Sequence, residues 1–155
     1  MINKIVFVLV LLFFTSSIAF AAEKTPISIT PLQVISTTHD EVEVGDPIDF
    51  KVVKDVYKED KLIIKKGSPV EAEVDYVSSN GWAADAAYIQ FRNFKILTAQ
   101  NKWITVPYTL KIKGSDCLKS TNAFYKGCFL VKSIIRGSEI SLKPNQRNFN
   151  IFLID

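Results

Sequence analysis

The clearest rhythm in the chain runs from residue 70 to 76, where Val70, Ala72, Val74 and Tyr76 alternate with Glu71, Glu73 and Asp75. A period of two, with three carboxylates on one side, predicts a half-buried strand whose acidic face meets water. Ile48, Phe50 and Val52 alternate in the same way with Asp49 and Lys51. So do Ile104, Val106, Tyr108, Leu110 and Ile112, with Pro107 on the outward side, where an edge strand tolerates it. Residues 88–97 (YIQFRNFKIL) set Tyr88, Gln90 and Arg92 opposite Ile89, Phe91 and Asn93. Shorter apolar runs predict further strands at 62–64, around Phe129, Val131 and Ile134, at Ile140 and Leu142, and at 149–154. Residues 27–36 (ISITPLQVIS) read as extended, with Pro31 better suited to an edge or a bulge than to a central strand. In residues 53–61, Val53, Val56 and Tyr57 fit a helical turn, although the β-branched content favours extension.

Turn signals separate these runs. Gly45-Asp46-Pro47, Glu59-Asp60-Lys61, Gln100-Asn101-Lys102, Arg136-Gly137 and Pro144-Asn145-Gln146 each punctuate the pattern. Gly67 in Lys65-Lys66-Gly67-Ser68-Pro69 supplies a residue free to take positive φ, and Asn80-Gly81 is a hairpin signal. Residues 83–87 are alanine-rich but too short for an independent helix. The result is an all-β expectation: a small antiparallel barrel or sandwich of about seven to nine short strands.

The N-terminal segment follows a different rule. Met1 to Lys4 is a short basic start, residues 5–14 (IVFVLVLLFF) are continuously apolar, and Ala19-Phe20-Ala21 presents small residues around a cleavage point before Ala22. This predicts a signal peptide at 1–21 and a single β domain at 22–155, periplasmic or secreted. The competing reading is a membrane anchor over residues 5–22, a length at the bottom of the spanning range. No Cys stands at the cleavage point to accept a lipid. After cleavage no stable membrane span is expected.

Charge adds an asymmetry. Residues 22–94 carry 8 basic and 13 acidic side chains, whereas 95–155 carry 10 basic and 3 acidic ones. Interleaving of the two halves in one small domain is expected to even this out, and a dipole results only if they stay apart. Cys117 and Cys128 are the only cysteines. In an exported chain they are expected to pair and staple a loop at 114–128.

Groups for catalysis are sparse. His39 is the only histidine and sits in the polar stretch Thr37-Thr38-His39-Asp40-Glu41. Adjacent residues of an extended chain point to opposite faces, so Asp40 does not orient it. Asp55, Asp75 and Asp85 serve as paired acids only if folding converges them, and Glu41, Glu43 and Asp46 lack the spacing of a calcium loop. No catalytic residue, cofactor or metal site is therefore expected. Contact residues are expected instead: Trp82 and Trp103 beside turns, and Lys119, Phe124, Tyr125 and Lys126 in the cysteine loop.

Residues 42–76 carry Asp55-Val56-Tyr57, Leu62-Ile63-Ile64, Lys66-Gly67-Ser68 and Val70. This wording resembles a hairpin in β-rich modules of exported bacterial proteins. It is distantly similar to the periplasmic domain of the TrbI-like channel proteins of conjugation and type IV secretion. Arg136-Gly137-Ser138-Glu139-Ile140 and Leu142-Lys143-Pro144 resemble the closing hairpin of such modules. The resemblance implies a shared hairpin framework in the cell envelope and assigns its residues structural roles. The resulting expectation is a non-catalytic exported accessory or interaction protein of the bacterial envelope, linked to a secretion or surface assembly. Its partner would be an envelope protein or an anionic or glycan polymer, not a nucleic acid. The alternative is a binding module for cell-wall glycan, which a groove joining Trp82 and Trp103 would favour.

Overall fold

A computed structural model describes residues 24–38, 41–82, 85–114 and 136–154. Within them the chain forms eleven strands: β1 (Lys24–Pro31), β2 (Ile35–Ser36), β3 (Pro47–Val52), β4 (Val56–Lys58), β5 (Lys61–Ile64), β6 (Pro69–Ser78), β7 (Tyr88–Leu97), β8 (Trp103–Val106), β9 (Leu110–Lys113), β10 (Ser141–Leu142) and β11 (Phe149–Ile154). The main sheet has the order β11-β1-β3-β6-β7-β8, with β9 also paired to β7. Every pairing is antiparallel. β2 with β10 and β4 with β5 form two small separate sheets. The large sheet curls into an open half-barrel. The excess over the expected strand number comes from β2, which parts from β1 within 27–36, from the short β4, and from the division of the run 104–112 into β8 and β9 around Pro107.

The concave face holds the core. Phe50 of β3 lies 5.6 Å from Phe91 and 6.2 Å from Phe94, both on β7. Simple alternation cannot bury both of those β7 residues, because three positions separate them. Asn93 resolves this by adopting φ 55°, in the left-handed region that Asn tolerates better than most residues. The register slips there: Glu71 pairs with Lys95, but Glu73 pairs with Arg92. Ile89 and Phe91 before the bulge, and Phe94 and Ile96 after it, are all fully buried. Asn93 itself turns outward, contrary to the expected side for it.

A second slip occurs on β6, where Val74 pairs with Phe91 but Tyr76 pairs with Gln90. It turns Tyr76 away from the core, leaving it 51% exposed rather than in line with Val70, Ala72 and Val74. β1 also departs from expectation, for it lies inside the sheet between β11 and β3. Pro31 is tolerated because it ends the strand beyond Ile29, the last residue paired to β11. The β4–β5 connection is a two-residue hairpin with Glu59 and Asp60 both at positive φ, as a tight twisted turn requires. Asn80-Gly81, by contrast, is no tight hairpin: residues 79–87 link β6 to β7, and Gly81 N–H donates to the Asp85 carbonyl at 2.8 Å.

That connection is locked by the segment entering β10. Gly137 N–H donates to the Gly81 carbonyl at 2.9 Å, and Ala87 N–H to the Ser138 carbonyl at 3.0 Å. A Cβ on Gly137 would stand 1.8 Å from the Asp85 carbonyl oxygen, so only glycine fits.

The expected pairing of Cys117 with Cys128 is corrected, because the two cysteines are not near disulfide distance. An oxidising compartment, if the chain reaches one, and a short spacing permit a bridge but do not bring two Cα atoms within the roughly 7 Å that it needs. Both cysteines, the rest of the loop at 114–128 beyond Gly114, and the strand expected around Phe129, Val131 and Ile134 lie outside the described residues. So do the segment 1–21, His39 and Asp40.

Candidate functional site

Two features of the half-barrel offer chemistry to solvent. The first is its opening. Thr98 N–H donates to the Lys102 carbonyl at 2.9 Å at the turn between β7 and β8. Hydrogen-bonded pairs alternate along an antiparallel ladder, so Ile96 with Ile104 and Phe94 with Val106 are the bonded pairs that follow. The backbone groups of Trp103 and Thr105 therefore point away from β7, toward the open edge.

The same reasoning applies to the other rim. Val53 N–H donates to the Ser28 carbonyl and Leu32 N–H to the Asp49 carbonyl, so even-numbered residues of β1 bond to β3. Odd-numbered ones bond to β11, through Ile27 with Ile151 and Ile29 with Phe149. Asn150 and Phe152 are left aiming their backbone groups at the opening. β8 and β11 end the sheet and do not pair with each other. Rings bridge them instead: Tyr108, between β8 and β9, packs 5.7 Å from Phe152.

The second feature is the outer face of β6, β7 and β9. Arg92 reaches across from β7 to Asp75 at 2.8 Å and to Glu73 at 3.2 Å. Asn93 Nδ2 donates to the other Glu73 oxygen at 3.0 Å. The Asn93 bond first, then Arg92, holds the Glu73 carboxyl below its ordinary value of 4.5. Gln90 donates to Asp75 and accepts from the Tyr88 hydroxyl at 3.1 Å. Tyr76 and Tyr88 lie 5.7 Å apart with their rings tilted by 57°. Lys111 is cross-strand from Gln90 and Lys113 from Tyr88. The sequence asymmetry thus survives as neighbouring stripes: Asp49, Glu71, Glu73 and Asp75 on β3 and β6, and Arg92, Lys95, Lys111 and Lys113 on β7 and β9. A cleft of about 400 Å³ crosses the junction between Pro47, Glu71, Glu73, Asn93, Lys95 and Thr105. It ends at the open edge.

Trp82 and Trp103 are both exposed, at 66% and 46%. They are not brought together. Trp103 pairs with Leu97 at one end of β7, whereas Trp82 follows Ser78, which pairs with Tyr88 at the other. A ten-residue strand separates these ends, a span of roughly 30 Å. The Arg136 guanidinium covers the Trp82 ring at 5.7 Å. Lys119, Phe124, Tyr125 and Lys126 lie outside the described residues.

The acids considered for catalysis are engaged separately. Asp55 accepts from Lys66 N–H at 2.6 Å, Asp75 is held by Arg92, and Asp85 belongs to the 79–87 connection. Asp46 accepts from Glu43 N–H at 2.8 Å, which closes the turn before β3. Among the described residues no group of three or more His, Cys, Asp or Glu side chains is placed to hold a metal ion.

Sequence reasoning missed Tyr76, Tyr88, Gln90, Lys111 and Lys113 as a group. Tyr88, Gln90, Lys111 and Lys113 alternate with apolar neighbours, but Tyr76 is expected on the apolar side of its strand, and the convergence depends on β9 pairing with β7 and on the bulge that turns Tyr76 outward. No known family pattern matches the sequence, and a search of curated proteins finds no match.

Proposed function

We propose that this protein is a non-catalytic accessory protein of the bacterial cell envelope, exported by its N-terminal segment, that holds a protein partner by strand addition at the open edge of β8. The observation that carries this reading is the outward backbone of Trp103 and Thr105, which has no strand partner among the described residues. Such an edge recruits an extended segment through main-chain hydrogen bonds. The exposed Trp103 ring supplies an apolar anchor beside it, and the cleft reaching Thr105 receives a partner side chain. The apolar start, the Ala19-Phe20-Ala21 pattern and the hairpin resemblance over 42–76 support the envelope location. The separation of Trp82 from Trp103 weighs against one aromatic groove for a glycan.

The test is a photo-crosslinking residue at position 103 or 105 in the native envelope, with position 44 as an exposed control. We expect one partner segment to be captured from 103 and 105 and not from 44. Thr105→Pro deletes only the N–H that faces the opening, so it abolishes capture while leaving the unfolding midpoint within a few degrees of the parent. Capture that survives Thr105→Pro in a folded protein overturns strand addition.

A further inference from the structure

The outer face of β6, β7 and β9 is organised beyond what folding needs. Its cross-strand rows read Tyr76, Gln90, Lys111 and then Ser78, Tyr88, Lys113. Turning Tyr76 outward costs the core a large aromatic side chain, and the β6 bulge is what turns it. Gln90 is fixed from both sides, by Tyr88 and by Asp75. Lys111 and Lys113 are exposed, and neither forms an ion pair among the described residues. Alternate residues of a strand lie about 7 Å apart on one face, so the two ammonium groups form a short cationic track beside the tyrosine pair.

From this arrangement we infer that the face binds a linear polysaccharide bearing carboxylate groups. The aromatic rings stack on the C–H faces of sugar rings. Their mutual tilt of 57° offers two separate platforms to successive sugars rather than one continuous plane. Lys111 and Lys113 meet the polymer's carboxylates, the charge complement of an otherwise uncompensated pair. Charge density selects against a polyphosphate chain: Asp75 and Glu73 stand beside the site, and Arg92 is already committed to them. Those carboxylates repel closely spaced phosphates but accept hydrogen bonds from sugar hydroxyls. The face is distinct from the β8 edge, so saccharide and protein partner can be held together.

The experiment is titration of the full chain with an oligogalacturonate, which carries one carboxylate per sugar, followed by NMR and calorimetry. A cello-oligosaccharide and a thymidine oligonucleotide serve as neutral and polyphosphate comparisons. We expect the oligogalacturonate to bind, to shift the Tyr76 and Tyr88 ring signals, and to weaken as salt is added. The double variant Lys111→Gln, Lys113→Gln and the single variant Tyr76→Ala should each weaken binding about tenfold with an unchanged unfolding midpoint. Lys102→Gln, at the far end of β7, should leave binding as it is. The inference is overturned by absence of binding, by equal or tighter binding of either comparison ligand, or by variants that bind like the parent. None of these results touches the crosslinking test at position 105, so the two proposals fail independently.

Discussion

Strands β6 and β7 occupy the middle of the sheet, and β8 and β11 form its rims. All four turn apolar side chains to the core, yet their positions in the sheet have different consequences. In the middle, each strand has a neighbour on both sides, and the inner face fills with Val70, Val74, Ile89, Phe91, Phe94 and Ile96. The outer face takes no part in that core, and it carries the ordered polar and aromatic cluster. At the rims, half of the backbone hydrogen-bonding groups have no strand partner among the described residues, so the main chain itself is open to pairing there. Buried packing is concentrated in the middle, and the strand addition proposed above falls to the rims.

Truncating one ring in each region gives the sharpest contrast. Phe91→Ala removes a fully buried ring in contact with Phe50, and should cost about 3–5 kcal/mol in chemical denaturation. Phe152→Ala removes a half-buried ring whose contact with Tyr108 bridges the opening, and should cost about 1–2 kcal/mol. Hydrogen exchange should follow the same division. Trp103 and Thr105 amides should exchange rapidly beside slow ones at Ile104 and Val106. Equal costs for the two truncations would show that the opening is held as firmly as the centre.

How much of this was readable beforehand follows from which interactions decide each feature. The inward positions of β3, the first half of β6, β8 and β9 were legible because regular alternation needs no partner to be recognised. Phe91 and Phe94 were harder. Their spacing conflicts with a period of two, and the conflict is itself the signal for a bulge at Asn93, a residue suited to positive φ. The place of β1 was misjudged because Pro31 was weighed without knowing where the β11 ladder stops. Alternation sets Tyr76 on the wrong side, with Val70, Ala72 and Val74, since the slip on β6 is decided by its pairing with β7. The stacking of Tyr76 with Tyr88, and the meeting of both with Lys111 and Lys113, join residues up to 37 positions apart. Such a site depends on topology, whereas the tryptophans drew attention through residue type and adjacent turns.

Gly137 tests the next level of the comparison, the connection that ties the far end of β6 and β7 to β10. Gly137→Ala sets a methyl group against the Asp85 carbonyl, and backbone cannot yield as a flexible side chain does. We expect a loss of about 1–3 kcal/mol, with exchange at Gly81 and Ala87 accelerated and the core of β3 still protected. If the loss is spread evenly over the whole sheet, the connection folds as one unit with the middle rather than as an attachment to it.

The smallest effect lies on the outer face of the middle strands, where the bulge at Asn93 also sets electrostatics. Its side chain and Arg92 hold Glu73 ionised below the ordinary carboxylate value of 4.5. A carboxyl whose folded value is depressed contributes stability above its unfolded value, and that contribution disappears as pH falls through the folded one. Asn93→Gly keeps positive φ accessible but removes the Nδ2 donor. Carboxyl-carbon NMR should therefore show Glu73 titrating at higher pH in the variant, with Phe94 and Ile96 still buried. Because Glu73 is open to solvent, the shift should shrink in high salt, and the change in stability should be slight. A Glu73 titration unmoved by Asn93→Gly would leave the cations Arg92 and Lys95 as its determinants. The bulge would then serve only to aim Phe94 at the core, and the outer face of the centre would owe its order to cross-strand ion pairing alone.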